Sequence, residues 1–206
     1  MSFNNRSLIK GKYFPPGDKS ISHRIVILAG QVVGKSKISN LLQGEDVINT
    51  LKAMRLLGVQ IFKTDTHYEV FGIPPGGLIQ PKKIIDFGNS GTGIRLISGL
   101  ISSNNIEVKL IGDNSLSKRD FSRVIKPLSL FGANIKDKKK SLPIEIIGSN
   151  FLRPITYNEN IGSAQVKSCI ILSALNTPGI TNINSKNSRN HTELMLKFLK
   201  YPIKIK

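Results

Sequence analysis

Residues 17–30 read GDKSISHRIVILAG, a glycine-led polar loop that runs into an apolar, helix-like stretch. The same pattern returns as GNSGTGIRLISGL at residues 88–100 and as GSAQVKSCIILSAL at residues 162–175. The leading glycines are about 70 residues apart, and self-similarity at a fixed spacing indicates repeated structural units. The sequence therefore predicts three similar units packed around buried helices.

Each unit continues with the same further elements. A strand-like piece follows the first helix, near residues 36–41, 106–111 and 179–183. An amphipathic second helix comes next, with apolar residues at spacings of three and four, over residues 47–57, 121–131 and 194–199. Gly58 and Gly132 follow the first two of these helices, where a residue in the left-handed conformation commonly ends a helix. Each glycine is followed by two strands that we expect to pair, 59–62 with 67–71 in the first unit and 133–135 with 143–147 in the second. The pattern of helix, strand, helix, strand, strand predicts an α/β fold.

The third unit differs at its end. Lys200 takes the position that Gly58 and Gly132 occupy in the other units, and the sequence stops after residues 203–206. No hairpin partner follows that segment, so we expect the third repeat to be truncated.

Composition narrows the function classes. The formal net charge of +17 favours an anionic partner. Only 6% of the residues are aromatic and none is Trp, whereas single-stranded nucleic acid is usually bound with aromatic stacking. The basic run at residues 136–140 lies between two apolar segments, where a solvated hairpin turn explains it. No stretch approaches the roughly 20 apolar residues of a membrane-spanning helix, and the single Cys169 with no signal-like N-terminus predicts a cytoplasmic protein.

Small and polar residues stand where each first helix begins. Helix N-termini offer unpaired backbone N–H groups, so three such ends that converge would hold an anion. Lys19 adds an ammonium group and Arg24 a planar fork that suits phosphate or carboxylate. The first loop lacks the spacer of a P-loop, which excludes nucleoside triphosphate binding of that kind. His23 and His191 have no ligand-type neighbours at metal-binding spacing, so we expect both to be structural and no metal or cofactor to be bound.

Residues 16–24, PGDKSISHR, resemble the signature of 5-enolpyruvylshikimate-3-phosphate synthases. Six further blocks follow in the order of that family: LLQGEDVINTLKAM (41–54), DFGNSGTGIRL (86–96), IGDNSLSKRDFSRVIKPL (111–128), GSAQVKS (162–168), LNTPGIT (175–181) and SRNHTELML (188–196). The Asp-Lys-Ser form of residues 18–20 and the GEDVINT segment at residues 44–50 are most similar to the bacterial class II branch. The resemblance covers nearly the whole chain.

The resemblance implies an enolpyruvyl transferase-like α/β fold, built from βαβαββ-type repeats around buried helices. This chain would form half of a two-domain inside-out α/β barrel. Residues 1–15 would belong with the other domain, and residues 16–206 would form a substrate-binding domain with repeats at about 16–75, 86–150 and 160–206. The implied reaction transfers the enolpyruvyl group of phosphoenolpyruvate to the 5-hydroxyl of shikimate 3-phosphate, in chorismate biosynthesis.

The resemblance also implies roles for individual residues. Lys19 would contact both substrates and transfer a proton. Shikimate 3-phosphate would be bound by Lys19, Ser20, Arg24, Ser163, Ala164, Gln165 and Arg189. Phosphoenolpyruvate would be bound by Lys19, Gly91, Arg119 and Gln165, with Asn89 and Thr92 in support. Gly91 also suggests a site sensitive to the inhibitor glyphosate, whereas Arg95 and Lys167 would be supporting residues.

Two departures from the family pattern concern substrate contacts. Asp120 stands where Pro is usual and would draw Arg119 into a local pair. Ala164 replaces a common Ser and so removes one hydroxyl. Because the acidic catalytic residues of the family lie in its second half, we expect a monomeric, incomplete half that is inactive alone.

Other interpretations remain open from the residues alone. Ser20 and Ser163 would be helix N-caps, Arg24 and Arg95 solvated helix residues, and Gly91 a turn glycine. For the whole chain, the alternatives are a UDP-sugar enolpyruvyl transferase and a basic nucleic-acid-binding module, although we expect no nucleic acid and no membrane as partners.

Overall fold

The computed structural model describes residues 10–137 and 139–205. Three consecutive units follow one another along the chain. The first contains α1 (Lys19–Ala29), β1 (Gly34–Ser39), α2 (Glu45–Leu56), β2 (Gln60–Lys63) and β3 (His67–Gly72). The second contains β4 (Ile85–Asp86), α3 (Gly91–Ser102), β5 (Glu107–Ile111), α4 (Asn114–Ser117), α5 (Ser122–Phe131), β6 (Asn134–Asp137) and β7 (Ile144–Ile147). The third contains β8 (Thr156–Glu159), α6 (Ala164–Ala174), β9 (Asn182–Ser185) and α7 (His191–Phe198).

Each unit has its own small sheet. The first is antiparallel, in the order β1-β3-β2, and the second has the order β4-β5-β7-β6. In the second unit, β4 pairs parallel with β5, and β8 pairs parallel with β9 in the same way in the third. The repeated α/β architecture is therefore confirmed. The leading strand of the βαβαββ pattern is present in the second and third units, and residues 10–18 of the first unit contain no strand.

Several boundaries differ from the sequence prediction. The third-unit strand is Asn182–Ser185 rather than residues 179–183, because the turn that follows α6 extends through Gly179, which has a φ of +100°. The four-residue helix α4 was not predicted, since only Gly112 separates its N-cap Asp113 from the end of β5. The segment at residues 201–205 forms no strand. The predictions for residues 1–9, Lys138 and Lys206 lie outside the described residues.

Positive φ angles mark the ends of the second helices. Gly58 and Gly132 have φ values of +101° and +104°, which confirms their left-handed conformation. Lys200 has a φ of +58° at the corresponding position after α7, so the third unit uses the same chain reversal without glycine. The internal repeat thus extends to the backbone conformation of its turns.

The core is built on α1, α3 and α6. Helix α3 is buried at nearly every position, as is typical of a helix that is apolar all round. It packs directly against the backbone of α6 at Gly99, where a Cβ would lie 2.9 Å from the carbonyl carbon of Cys169. Burial raises the pKa of the Cys169 thiol to about 12, so this cysteine is a core residue and not a nucleophile. The close approach fixes the relative position of the two helix N-termini.

Candidate functional site

A cavity of about 300 Å³ opens where the three units meet. Its lining comes from Asp18, Lys19, Ser20, Arg24, Thr92, Ala164, Gln165 and Arg189. The first, second and third units all contribute, although their residues are up to 171 positions apart in sequence. Seven of the predicted site residues share this concave surface, and the remaining four, Asn89, Gly91, Arg119 and Ser163, lie outside its lining.

Lys19 begins α1 at the rim of this cavity. Its side chain is 56% exposed and forms an ion pair with Asp46, which lies in the first turn of α2. Asp18, one position earlier, caps α1 by accepting a hydrogen bond from the Ile21 N–H at 2.7 Å. Ser20 is therefore not the N-cap, and its hydroxyl is available for other contacts. The ammonium of Lys19 keeps enough freedom to meet a ligand.

Arg24 is buried at the base of the cavity, with 2% of its surface exposed. Its guanidinium donates to Thr192 Oγ1 at 2.9 Å, to Ser168 Oγ at 2.9 Å and to Ser20 Oγ at 2.7 Å. Two carbonyl oxygens, those of Ser20 and Ala164, also accept from it. These acceptors match the five N–H donors of the group, so Arg24 supplies a fixed charge and ties α1 to α6 and α7. The interpretation of Arg24 as a solvated helix residue is wrong.

The Ser20 hydroxyl is oriented by its neighbours. Its oxygen accepts from Arg24 and lies 3.3 Å from His191 Nδ1, at the N-terminus of α7. A hydroxyl has two acceptor lone pairs and one proton. When both lone pairs are occupied, as they are if His191 Nδ1 carries its proton, the Ser20 proton is left to donate into the cavity.

Gly91 begins α3 beside two arginines. A Cβ at this position would lie 2.8 Å from Arg119 Nη1 and 3.0 Å from Arg95 Nη1, so the absence of a side chain makes room for both guanidinium groups. Arg119 also donates to Asn89 Oδ1 at 2.8 Å, and Asn89 in turn donates to Asp113 at 2.8 Å. This arrangement concentrates positive charge at the α3 N-terminus.

Asp120 does not pair with Arg119, contrary to the sequence expectation. Its carboxylate accepts from the N–H and the hydroxyl of Ser122, both at 2.7 Å, at the start of α5. These hydrogen bonds lower the pKa of Asp120. The local contact is preferred because the helix N-terminus presents unpaired donors two residues away. Arg119 is left to bind Asn89.

Gln165 joins the second and third units. Its side-chain N–H donates to Thr92 Oγ1 at 2.9 Å, and its side-chain oxygen accepts from Arg95 at 3.3 Å. Arg95 in turn donates to the carbonyl of Gly91 and stacks over the Phe121 ring at 4.8 Å. The arginines around Gly91 are thereby connected to the cavity through Gln165.

Glu159 is a site residue that the sequence reasoning missed. Ser163 is the N-cap of α6 and accepts a hydrogen bond from the Val166 N–H at 3.3 Å. The alternative prediction that Ser163 is a helix N-cap is therefore confirmed. The loop before it is held by Glu159, which is 4% exposed and accepts from the Gly162 and Ser163 N–H groups at 2.6 and 2.8 Å. Glu159 is the last residue of β8 and belongs to no recognisable sequence motif. Only its position in the structure shows that it holds the loop before α6.

The sequence profile of the family described as EPSP synthase (3-phosphoshikimate 1-carboxyvinyltransferase) matches residues 4–206. The chain belongs to the EPSP synthase family. A 3-phosphoshikimate 1-carboxyvinyltransferase of Ruegeria sp. is 44% identical over 199 residues, which cover 95% of this chain and 44% of that protein. One of Rhodopseudomonas palustris is 46% identical, over 88% of this chain and 42% of that protein.

A solved EPSP synthase of Acinetobacter baumannii superposes with a TM-score of 0.90 at 38% identity. The alignment covers 95% of this chain and 45% of that one. The chain thus spans less than half the length of the family members it matches. Its membership favours EPSP synthase over the two alternatives, a UDP-sugar transferase and a nucleic-acid-binding module. Among the described residues, no helix has the length and apolar character needed to cross a membrane.

Proposed function

We propose that this chain provides one wall of the EPSP synthase active site, where it binds shikimate 3-phosphate and phosphoenolpyruvate. The observation that carries the proposal is the cavity at the junction of the three units. Three cationic side chains, Lys19, Arg24 and Arg189, line it with a single carboxylate, Asp18. A phosphorylated carboxylate of the size of shikimate 3-phosphate matches that excess of positive charge.

The two substrates would occupy adjacent parts of the site. Shikimate 3-phosphate would lie in the cavity, where Ser20 donates its proton and Ser163, Ala164, Gln165 and Arg189 complete the contacts. The hydroxyl of Ser20 is polarised by the charged Arg24 donor, which strengthens the hydrogen bond that it gives.

Phosphoenolpyruvate would lie towards Gly91, in reach of Arg119 and of the free end of Lys19. The backbone at Gly91 lets an anion approach the α3 N-terminus, with Asn89 and Thr92 holding Arg119 and Gln165 in place. The same space is the one in which glyphosate would compete. Among the residues that line the cavity, Lys19 is the group that we expect to move a proton, because it carries an amine on an exposed side chain.

Turnover requires further acid and base groups from the part of the family length that this chain does not span. Residues 16–206 would act as one substrate-binding domain, monomeric and cytoplasmic, that works together with a second half. Binding without turnover is therefore the expected behaviour of the chain alone.

Calorimetric titration with shikimate 3-phosphate tests the proposal. Arg189→Met removes a cavity cation and is expected to weaken binding at least tenfold, about 1.4 kcal/mol. Lys82→Met, which removes an equal charge at an exposed position between the first two units, is the matched control and should change the affinity less than twofold. Equal losses in both variants, or no binding by the wild type, would contradict the proposed site. Phosphate release from the two substrates at the rate of a complete synthase would contradict the expectation that the chain alone has no turnover.

A further inference from the structure

Beneath the cavity lies an ion pair that the proposed substrate contacts do not use. Lys167 of α6 and Glu193 of α7 approach to 2.6 Å, and their side chains are only 10% and 9% exposed. Removing two charges from water is costly, and an apolar pair of similar volume is often as stable or more so. The pair therefore needs an explanation other than stability.

Only one of the two charges is favourably placed with respect to its own helix. Lys167 lies in the first turns of α6, where a cation meets the positive end of the helix dipole. Glu193 lies in the first turn of α7, where an anion is favoured. One oxygen of Glu193, Oε2, has no hydrogen-bond partner among residues 10–137 and 139–205. This oxygen makes no hydrogen bond there, and the carboxylate acts on the nearby Arg24 through its charge.

Arg24 is the cavity cation that bonds to the chain neighbours of this ion pair. Thr192, directly before Glu193, accepts from Arg24 Nε at 2.9 Å, and Ser168, directly after Lys167, accepts from Arg24 Nη2 at 2.9 Å. The two hydroxyls also lie 2.8 Å apart. Burial lowers the pKa of Arg24, and the Glu193 carboxylate opposes this shift. The ion pair and the guanidinium therefore form one network across α1, α6 and α7.

We propose that Glu193 and Lys167 are positioning residues for the anion-binding cavity, and that their ion pair sets the register of α6 against α7 so that Thr192 and Ser168 hold Arg24. Arg24 in turn orients Ser20 at the cavity surface. The proposal rests on the proposed function for its ligand, but the position of Arg24 is measurable without any ligand.

The double variant Lys167→Met/Glu193→Met separates positioning from stability. It replaces both charges by apolar groups of similar length, so we expect its melting temperature to stay within a few degrees of the wild type. Without the ion pair, the Arg24 Nε–H, observed by ¹⁵N nuclear magnetic resonance and assigned with Arg24→Lys, is expected to exchange with solvent at least tenfold faster. Shikimate 3-phosphate should bind at least tenfold more weakly. The matched control is Lys35→Met/Glu69→Met, which removes an ion pair whose side chains are 43% and 21% exposed and should alter neither quantity.

The outcomes are distinguishable. A folded double variant that keeps both the slow Arg24 exchange and the affinity overturns the proposal, since the pair is then structural only. If the Met pair does not fold, Lys167→Gln/Glu193→Gln is measured in the same way, and retained Arg24 protection again overturns it. If neither double variant folds, the wild-type protein is titrated with shikimate 3-phosphate while the ¹³C resonance of the Glu193 carboxyl is observed. The proposal expects this resonance to shift at saturation, and an unchanged resonance refutes the link between the ion pair and the cavity. If the wild type binds no shikimate 3-phosphate, the proposed function fails, while Arg24 exchange still tests the positioning role.

Discussion

Replacing Gly99 by Ala tests the link between the buried helices and the site. A Cβ at Gly99 would lie 2.9 Å from the carbonyl carbon and 3.1 Å from the Cα of Cys169, and would overlap the carbonyl oxygen between them. All three are backbone atoms of α6, so no side-chain rotation relieves the contact. Helices α3 and α6 must separate by roughly 1 Å, because a packed interior has no void to absorb the methyl group.

Overpacking of a core costs about 1–3 kcal/mol, and a clash with rigid backbone belongs at the upper end of that range. For a domain of this length, about 3 kcal/mol corresponds to a fall in melting temperature of about 6–12 °C. Circular dichroism during thermal and urea unfolding measures both quantities. The separation should also break the Gln165–Thr92 hydrogen bond, which now spans 2.9 Å between the ends of the two helices.

Gly44→Ala is the control, since a Cβ there meets only Leu42 side-chain atoms at 3.6 Å or more. It precedes α2 with a φ of −67°, which Ala also adopts, and should cost under about 1 kcal/mol. A Gly99→Ala protein that unfolds within 1 kcal/mol of the wild type would refute the reasoning, because α3 and α6 would then not be in rigid contact.

Three further changes have different expected signatures. Gly91→Ala should leave the melting temperature within about 2 °C, because the atoms it meets are the mobile ends of arginines, but should displace Arg119 and weaken phosphoenolpyruvate binding at least tenfold. Calorimetry checks this, and an unchanged affinity would count against a role of Arg119 in that binding. Glu159→Gln turns an NH₂ group towards the N–H donors at Ser163 and should cost about 2–3 kcal/mol in urea unfolding; a smaller cost than 0.5 kcal/mol contradicts the loop assignment. Acidification tests the role of His23. Burial lowers the pKa of this histidine from 6.5 to about 4. Because the unfolded chain takes up the proton first, stability should fall between pH 6.5 and 4, by up to about 3 kcal/mol, and His23→Gln should lose less over that interval. Parallel pH profiles of the two proteins would exclude His23 as the cause.

Periodicity was sufficient to predict most of the fold. The second helices and their left-handed ends at Gly58 and Gly132 follow from local pattern, because helix spacing and positive φ are properties of neighbouring residues. The short strands β4 and β8 have no such signal, since two to four residues carry too little alternation. Their existence depends on a parallel partner that lies more than 20 residues away.

The site was predicted less completely. The resemblance identified the residues around the cavity, but local sequence gave no sign that Arg24 is fully bonded to protein groups. It also gave no sign of Glu159 or of the Lys167–Glu193 pair. Asp120 was assigned the wrong partner because a sequence shows the adjacent arginine, whereas the structure offers the free donors of Ser122 at a helix start.

The amino-acid sequence by itself determined the three-unit repeat, the kind of element at most positions and the excess of positive charge, because these depend on residue type and spacing. Only the tertiary structure decided which charges face a ligand and which are used within the protein. That decision depends on distances between units, and above all on how closely Gly99 lets α3 approach α6. The resulting contacts join Arg24 to residues 140 to 168 positions further along the chain.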